Sequence, residues 1–229
     1  MSGDLTIALE GATYQGSVAI LRGGDVVAER TIKADDGGMP KAGRGERLMP
    51  ALAECMEETR ARPSDIARIV CGAGPGSFTS LRVAGSVAKG LAVGYGVSLY
   101  SVSSLLLTVA GMPDPVTPGS YLSLIDAMRG EWFALRVMVE TDSSVKAMGR
   151  TGIVRGDDID IAQSREPGLR VIGPGQQIDA RPHARGVGRL LAPTIAREPV
   201  DLASWEPDYG RLAEAQVKWE AAHGRSLVP

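Results

Sequence analysis

Ile69-Val70-Cys71-Gly72-Ala73-Gly74-Pro75-Gly76-Ser77-Phe78-Thr79-Ser80-Leu81-Arg82 is the stretch from which the fold is read. An apolar run ends in a glycine-rich turn, and small residues from Val83 to Val93 continue as a helix. Strand, glycine turn and helix start together aim unpaired backbone N–H groups at one point where an anion can sit. Gly74 and Gly76 permit positive φ and close backbone approach, Pro75 stiffens the turn, and Ser77 or Thr79 is placed to cap the helix. Gly74, Gly76, Ser77 and Thr79 are therefore the candidate phosphate or nucleotide loop. The turn lacks the Lys-Ser/Thr ending of a P-loop and the spacing of a dinucleotide fingerprint, so a capped connection without a ligand is the plainer reading of its shape.

Upstream, Leu5–Glu10, Ser17–Leu21 and Val26–Ile32 read as three strands joined by tight turns. Asp35–Gly45 is a polar, glycine-rich loop expected to be mobile. In Glu46–Arg60, Leu48, Met49, Leu52, Cys55, Met56 and Thr59 recur at the spacing of one helical face. Pro63-Ser64-Asp65 starts a new element that leads into the strand Ile66–Cys71. Downstream come a strand over Val97–Val102 and a short helix over Ser103–Ala110, begun by a serine cap. The order β-β-β-α-β-α-β-α gives an α/β fold with a mixed sheet flanked by helices. Pro113, Pro115 and Pro118 mark a boundary, which divides the chain into residues 1–110 and a second, shorter subdomain, 111–229. Strands follow at Tyr121–Ile125, Trp132–Val139 and Arg170–Gly173, and Asp208–His223 reads as a final helix. Between 141 and 200 the pattern weakens and carries no functional assignment.

With 229 residues, 44% hydrophobic and 23% charged, the composition is that of an ordinary globular chain. A net charge of −2 gives no reason to expect autonomous nucleic-acid binding. Cys55 and Cys71 sit in apolar company and are expected to be reduced and buried. His183 and His223 lack metal-ligand spacing, so no metal site is expected. No signal sequence or bilayer-length apolar run is visible, and the expected location is the cytoplasm. Glu10 and Asp126 each end a strand and could face one another across a cleft, although capping their own turns is the plainer role. Ser77 has no histidine in a hydrolase context. Ala84, Gly85, Ala88, Ala92 and Gly94 give the second helix a surface that another backbone can approach closely. Burial inside the monomer is the default for it, and a partner interface is the alternative.

The loop Gly74–Arg82 resembles the signature of the bacterial TsaB (YeaZ) family, with Ser80 where that family usually has glycine. Leu5–Leu21 resembles its opening hairpin, Arg47–Leu52 the start of its first helix, Ile125–Arg129 the motif opening its second domain, and Pro207–Arg211 its tyrosine-containing ending. The resemblance implies an actin-like, RNase H-type fold of two related α/β subdomains. It also implies a non-catalytic role in threonylcarbamoyladenosine modification of tRNA, with the chemistry in a TsaD-type partner and a TsaE-type ATPase joining them. On that basis Leu48, Met49, Leu52, Met56, Arg82, Gly85, Ala88 and Ala92 become the expected partner interface, used also for a homodimer when the chain is alone. No intrinsic cofactor is expected, ATP or ADP belongs to a site shared in the complex, tRNA is met only through the complex, and no membrane is involved. Glu10 stands where actin-like ATPases usually have aspartate, and the Glu46–Arg60 helix lacks the histidines by which TsaD binds its metal. The rival reading is a stand-alone nucleotide hydrolase or a glycoprotease-like peptidase.

Overall fold

The structure, a computed structural model, describes residues 4–32, 47–113, 115–211 and 223–224. Its first sheet holds β1 (Leu5–Glu10), β2 (Ser17–Arg22), β3 (Asp25–Thr31), β4 (Ile66–Gly72) and β5 (Ser98–Val102), in the order β3-β2-β1-β4-β5. Short turns make β1–β2 and β2–β3 antiparallel, with Leu9 opposite Val18. The parallel pairs need long crossovers, which α1 (Leu48–Thr59) and α2 (Phe78–Tyr95) supply for β4 and β5. Side chains alternate along β1, so Leu5, Ile7 and Leu9 pack with Leu48, Leu52, Cys55, Ala84 and Ala88 on the outer face. Ala8 and Glu10 point to the other face.

There lies α3 (Ser104–Ala110), whose Leu105, Leu107, Val109 and Ala110 are all buried. Beyond it come β6 (Gly119–Asp126), β7 (Glu131–Val139), β8 (Val145–Ala147), β9 (Gly152–Arg155), α4 (Gly156–Arg165), β10 (Arg170–Gly173) and β11 (Ile178–Asp179). The second sheet runs β11-β10-β6-β7-β8, with β9 also paired to β7. Its antiparallel β6–β7–β8 and parallel β6–β10–β11 arms repeat the first sheet strand for strand. After β11 a 3-10 turn (Ala184–Gly186) and α5 (Val187–Ile195) return to pack on α3 and the first sheet. The layers are thus α1/α2, sheet, α3/α5, sheet, α4. The central core joins Ala8, Val70 and Leu81 to Tyr121, Phe133 and Leu135 through α3.

The sequence pattern did not reveal α4 or α5. Only Ile159 is buried in α4, so it has no apolar stripe, and Pro193 inside α5 reads as a helix breaker. Ser77 and Ser103 do occupy N-cap positions, but neither hydroxyl bonds a helix N–H, and Ser77 Oγ lies 3.1 Å from Ser80 Oγ instead. Residues 208–211 are irregular rather than helical. The rest of the expected final helix up to 222, and the loop Asp35–Gly45, lie outside the described residues. No helix among the described residues is long and apolar enough to cross a membrane.

Candidate functional site

The three quoted motifs of the chain, the β1–β2 hairpin, the glycine turn and the 207–211 ending, meet at one joint. At its floor is Glu10, only 1% exposed. One carboxylate oxygen, Oε1, accepts from Ala12 N at 2.5 Å, and Ser104 Oγ lies 2.9 Å from Oε2. Ser104 Oγ in turn accepts from Gly74 N at 3.0 Å, while Ser104 N donates to Gly74 O at 2.9 Å. A Cβ on Gly72 would stand 1.9 Å from Glu10 Oε2, so the strand passes this carboxyl only as glycine. Burial raises the Glu10 pKa to about 7, against the pull of the hydrogen bonds from Ala12, Ser104 and Gly11. Burial, with Glu10 beside it, also pushes the Cys71 thiol up.

Above this floor, the N–H groups of Ala73 and Ser77, like that of Gly74, are used within the chain. Ala73 N donates to Val102 O at 2.8 Å and Ser77 N to Ala12 O at 2.7 Å. The Cβ positions of Gly74 and Gly76 fall 2.2 Å from Asp208 O and from Ala12 O. In this arrangement the N–H groups of Gly74 and Ser77 are engaged within the chain, and the carbonyls of Asp208 and Ala12 pack where a Cβ of Gly74 or Gly76 would stand. Thr79 stands exposed on the first turn of α2.

The segment 205–211 lies over the turn as a strap. Asp208 N donates to Ala73 O at 2.7 Å, and the Tyr209 ring centroid is 4.5 Å from that of Phe78, over which the Arg82 guanidinium also sits. Gly210 is pressed between Pro75 and Phe133, and Arg211 pairs with Glu131 of β7. The strap therefore ties the first sheet to the second. The sequence of this ending carries no sign of its contact with the turn. The clue was Gly85: the close neighbours it admits are Pro207 and Trp205 of the same chain.

Of the residues expected at a partner interface, Leu48, Leu52, Gly85, Ala88 and Ala92 are buried in the monomer. Met49 and Arg82 are exposed, and Met56 is half-buried beneath Tyr95. Around them α2 presents half-buried Val83 and Val87, exposed Val93, and two open glycines, Gly90 and Gly94. Glu10 and Asp126 share no hydrogen bond. Asp126 is exposed and accepts from Met128 N at 2.7 Å, so each carboxylate closes the turn after its own strand. Among the described residues no group of three or more His, Cys, Asp or Glu side chains is placed to hold a metal.

Two sheets that share one five-strand order, the second extended by β9, packed across a helix layer, define an actin-like, RNase H-type fold with two related α/β halves. Two solved structures agree. YeaZ from Pseudomonas aeruginosa superposes with a TM-score of 0.73 at 23% identity, covering 91% of this chain and 100% of that one. A Pseudomonas aeruginosa protein described as similar to peptidase YEAZ gives 0.75 at 22%, covering 92% and 100%. In sequence, the TsaB protein of Bacillus subtilis strain 168 is 28% identical over 234 aligned residues, 93% of this chain and 96% of the relative. Escherichia coli K12 TsaB is 30% identical over 125 residues, 55% of this chain and 51% of the relative. The model of the family described as TsaD, tRNA N6-adenosine threonylcarbamoyltransferase, matches residues 26–167. The chain belongs to this family, in its TsaB (YeaZ) group.

Proposed function

We propose that this chain is a non-catalytic subunit of tRNA threonylcarbamoyladenosine biosynthesis, the process for which its Bacillus and Escherichia relatives are named. It organises a TsaD-type catalytic subunit, with a TsaE-type ATPase joining the pair, and meets tRNA only through that assembly. The observation carrying this reading is the alignment with a TsaB protein over nearly the whole of both chains. The joint supports it from the side of chemistry: Glu10 is buried against Ser104, and the glycine turn spends the N–H groups of Ala73, Gly74 and Ser77 on the chain itself. ATP or ADP then belongs to a site shared within the complex rather than to this turn.

The docking surface of this reading is the outer side of α1 and α2, centred on Met49, Val83, Val87 and Val93, with Gly90 and Gly94 leaving room for a partner helix. The buried Leu48, Leu52, Gly85, Ala88 and Ala92 back that surface, and a second copy of the chain uses it when no partner is present. The test is reconstitution of tRNA modification from TsaD-type and TsaE-type proteins and the carbamoyl-adenylate-forming enzyme. Modification that requires this chain, and that is lost with Met49→Asp/Val93→Asp while the variant stays folded, supports the reading. Modification unchanged by leaving the chain out, or turnover of ATP or peptide by the chain alone, overturns it.

A further inference from the structure

We infer that the Glu10 carboxyl and the strap 205–211 are the two ends of one latch, in which the charge on Glu10 sets how firmly the strap is seated across the two halves. The inference is independent of the tRNA reading, since it rests on contacts within this chain alone.

The connection is continuous and short. Glu10 binds Ser104 Oγ, Ser104 Oγ holds Gly74 N, and the same turn receives Asp208 N on Ala73 O. No side chain of the turn intervenes, because Gly72, Gly74 and Gly76 are packed against Glu10 Oε2, Asp208 O and Ala12 O. A carboxylate in this pocket has hydrogen bonds but no cation: among the described residues no basic side chain bonds to it. The titratable group beside it is Cys71 on β4, whose thiol burial keeps neutral. Among the described residues its hydrogen bonds come from the Ser104 hydroxyl of α3 and from the backbone N–H groups of Gly11 and Ala12 in the hairpin.

An ionised, unpaired carboxylate in such a pocket is relieved by water. Glu10 is buried against the glycine turn and Ser104, so hydrating its carboxylate displaces the turn, and the strap is bonded to that turn through Asp208 N. Ionisation therefore favours a loosened strap, and a neutral Glu10 favours a seated one. Two other ionisable groups on the path, Glu131 and Tyr209, keep their protonation state through neutrality. Glu131 is held ionised by Arg211 and Arg155, and burial, helped by Glu206, keeps the Tyr209 phenol protonated. The Asp208 carboxylate is turned onto Gly210 N. With a carboxyl pKa of about 7, Glu10 is the group that changes charge in this range.

The test is hydrogen exchange of the full chain, followed by mass spectrometry over peptides spanning 72–77 and 205–211. It is run at about pH 5.5 and about pH 8.5, with exchange times scaled for the intrinsic rate. The expected result is that protection of both segments falls about tenfold at the higher pH in the wild type. In Glu10→Gln it should stay level. By reciprocity Tyr209→Ala, which loosens the strap from outside, must lower the pH at which the Glu10 carboxyl titrates, read by its 13C resonance. That arm stands even where Glu10→Gln does not fold. Protection independent of pH in the wild type, an unchanged pH response in Glu10→Gln, or an unmoved titration in Tyr209→Ala overturns the latch.

Discussion

Glu10 and His183 pull the stability of this chain in opposite directions over the same pH range. The native carboxyl of Glu10 titrates at about 7 against an ordinary 4.5, so the folded chain keeps a proton that the unfolded chain has lost. Its contribution is full below about pH 4.5 and gone once pH has risen through about 7. Burial and Arg185 hold the His183 imidazole down at about 4 from 6.5, so its contribution is full above pH 6.5 and lost as pH falls through 4. Urea denaturation of the wild type should therefore vary little between pH 4 and 7, while Glu10→Gln should gain stability steadily, exceeding the wild type by up to roughly 3 kcal/mol at neutral pH. Parallel curves for the two proteins would contradict this account of Glu10. Packing at the same residue makes a second prediction. Gly72→Ala sets a methyl against Glu10 Oε2 and should cost about 3 kcal/mol, and Glu10→Ala in the same chain should recover part of that loss. Additive costs in the double-mutant cycle would show that the clash is relieved elsewhere.

At the scale of elements, α2 has two faces that its sequence does not distinguish. Gly85, Ala88 and Gly90 are all small, yet Gly85 lies under Pro207 and Trp205 whereas a Cβ on Gly90 meets nothing. Gly90→Ala should then raise the stability of the isolated chain by about 0.5–1 kcal/mol, and a lowered melting temperature would contradict it. On α1, Leu52 is 1% exposed and Met49 42%. Leu52→Asp is therefore expected to abolish folding, and Met49→Asp to leave circular dichroism unchanged while weakening self-association in sedimentation. The same contrast explains what the sequence made legible. Strands β1 to β7, β10 and helices α1 to α3 announced themselves through apolar runs, helical spacing and glycine turns. Nothing in α4 or α5 did so, since one buries a single side chain and the other carries Pro193. At the candidate site, the hairpin, the loop and the ending were each visible as motifs. Their convergence was not, because Asp208 N reaches Ala73 O across more than half the chain and neither residue's own neighbourhood encodes the bond. Which small face of α2 stays open is settled by the strap that covers the other, a long-range fact of the same kind.

The duplication of the sheets makes a molecule of two halves, but its packing does not divide there. Helix α3 belongs to the first half by sequence and lies between both sheets. Leu107 is fully buried in a core that also holds Val70 of β4 and Phe133 of β7. Residues 184–195 cross back from the second half to cover α3 and the first sheet, and the strap crosses back again to the glycine turn. A chain so interleaved has no plane along which one half can unfold and leave the other's core dry. Thermal unfolding should accordingly be a single transition, with calorimetric and van 't Hoff enthalpies in agreement. Leu107→Ala should lower stability by about 2–5 kcal/mol without splitting that transition. Arg211→Ala, which cuts the strap's ion pair to Glu131, should lower the same transition by a smaller amount, since both charges are part-exposed. Two resolved transitions in the wild type, or a variant in which near-ultraviolet signals from Trp132 and Trp205 melt apart, would mean that the halves are energetically separate despite their shared core.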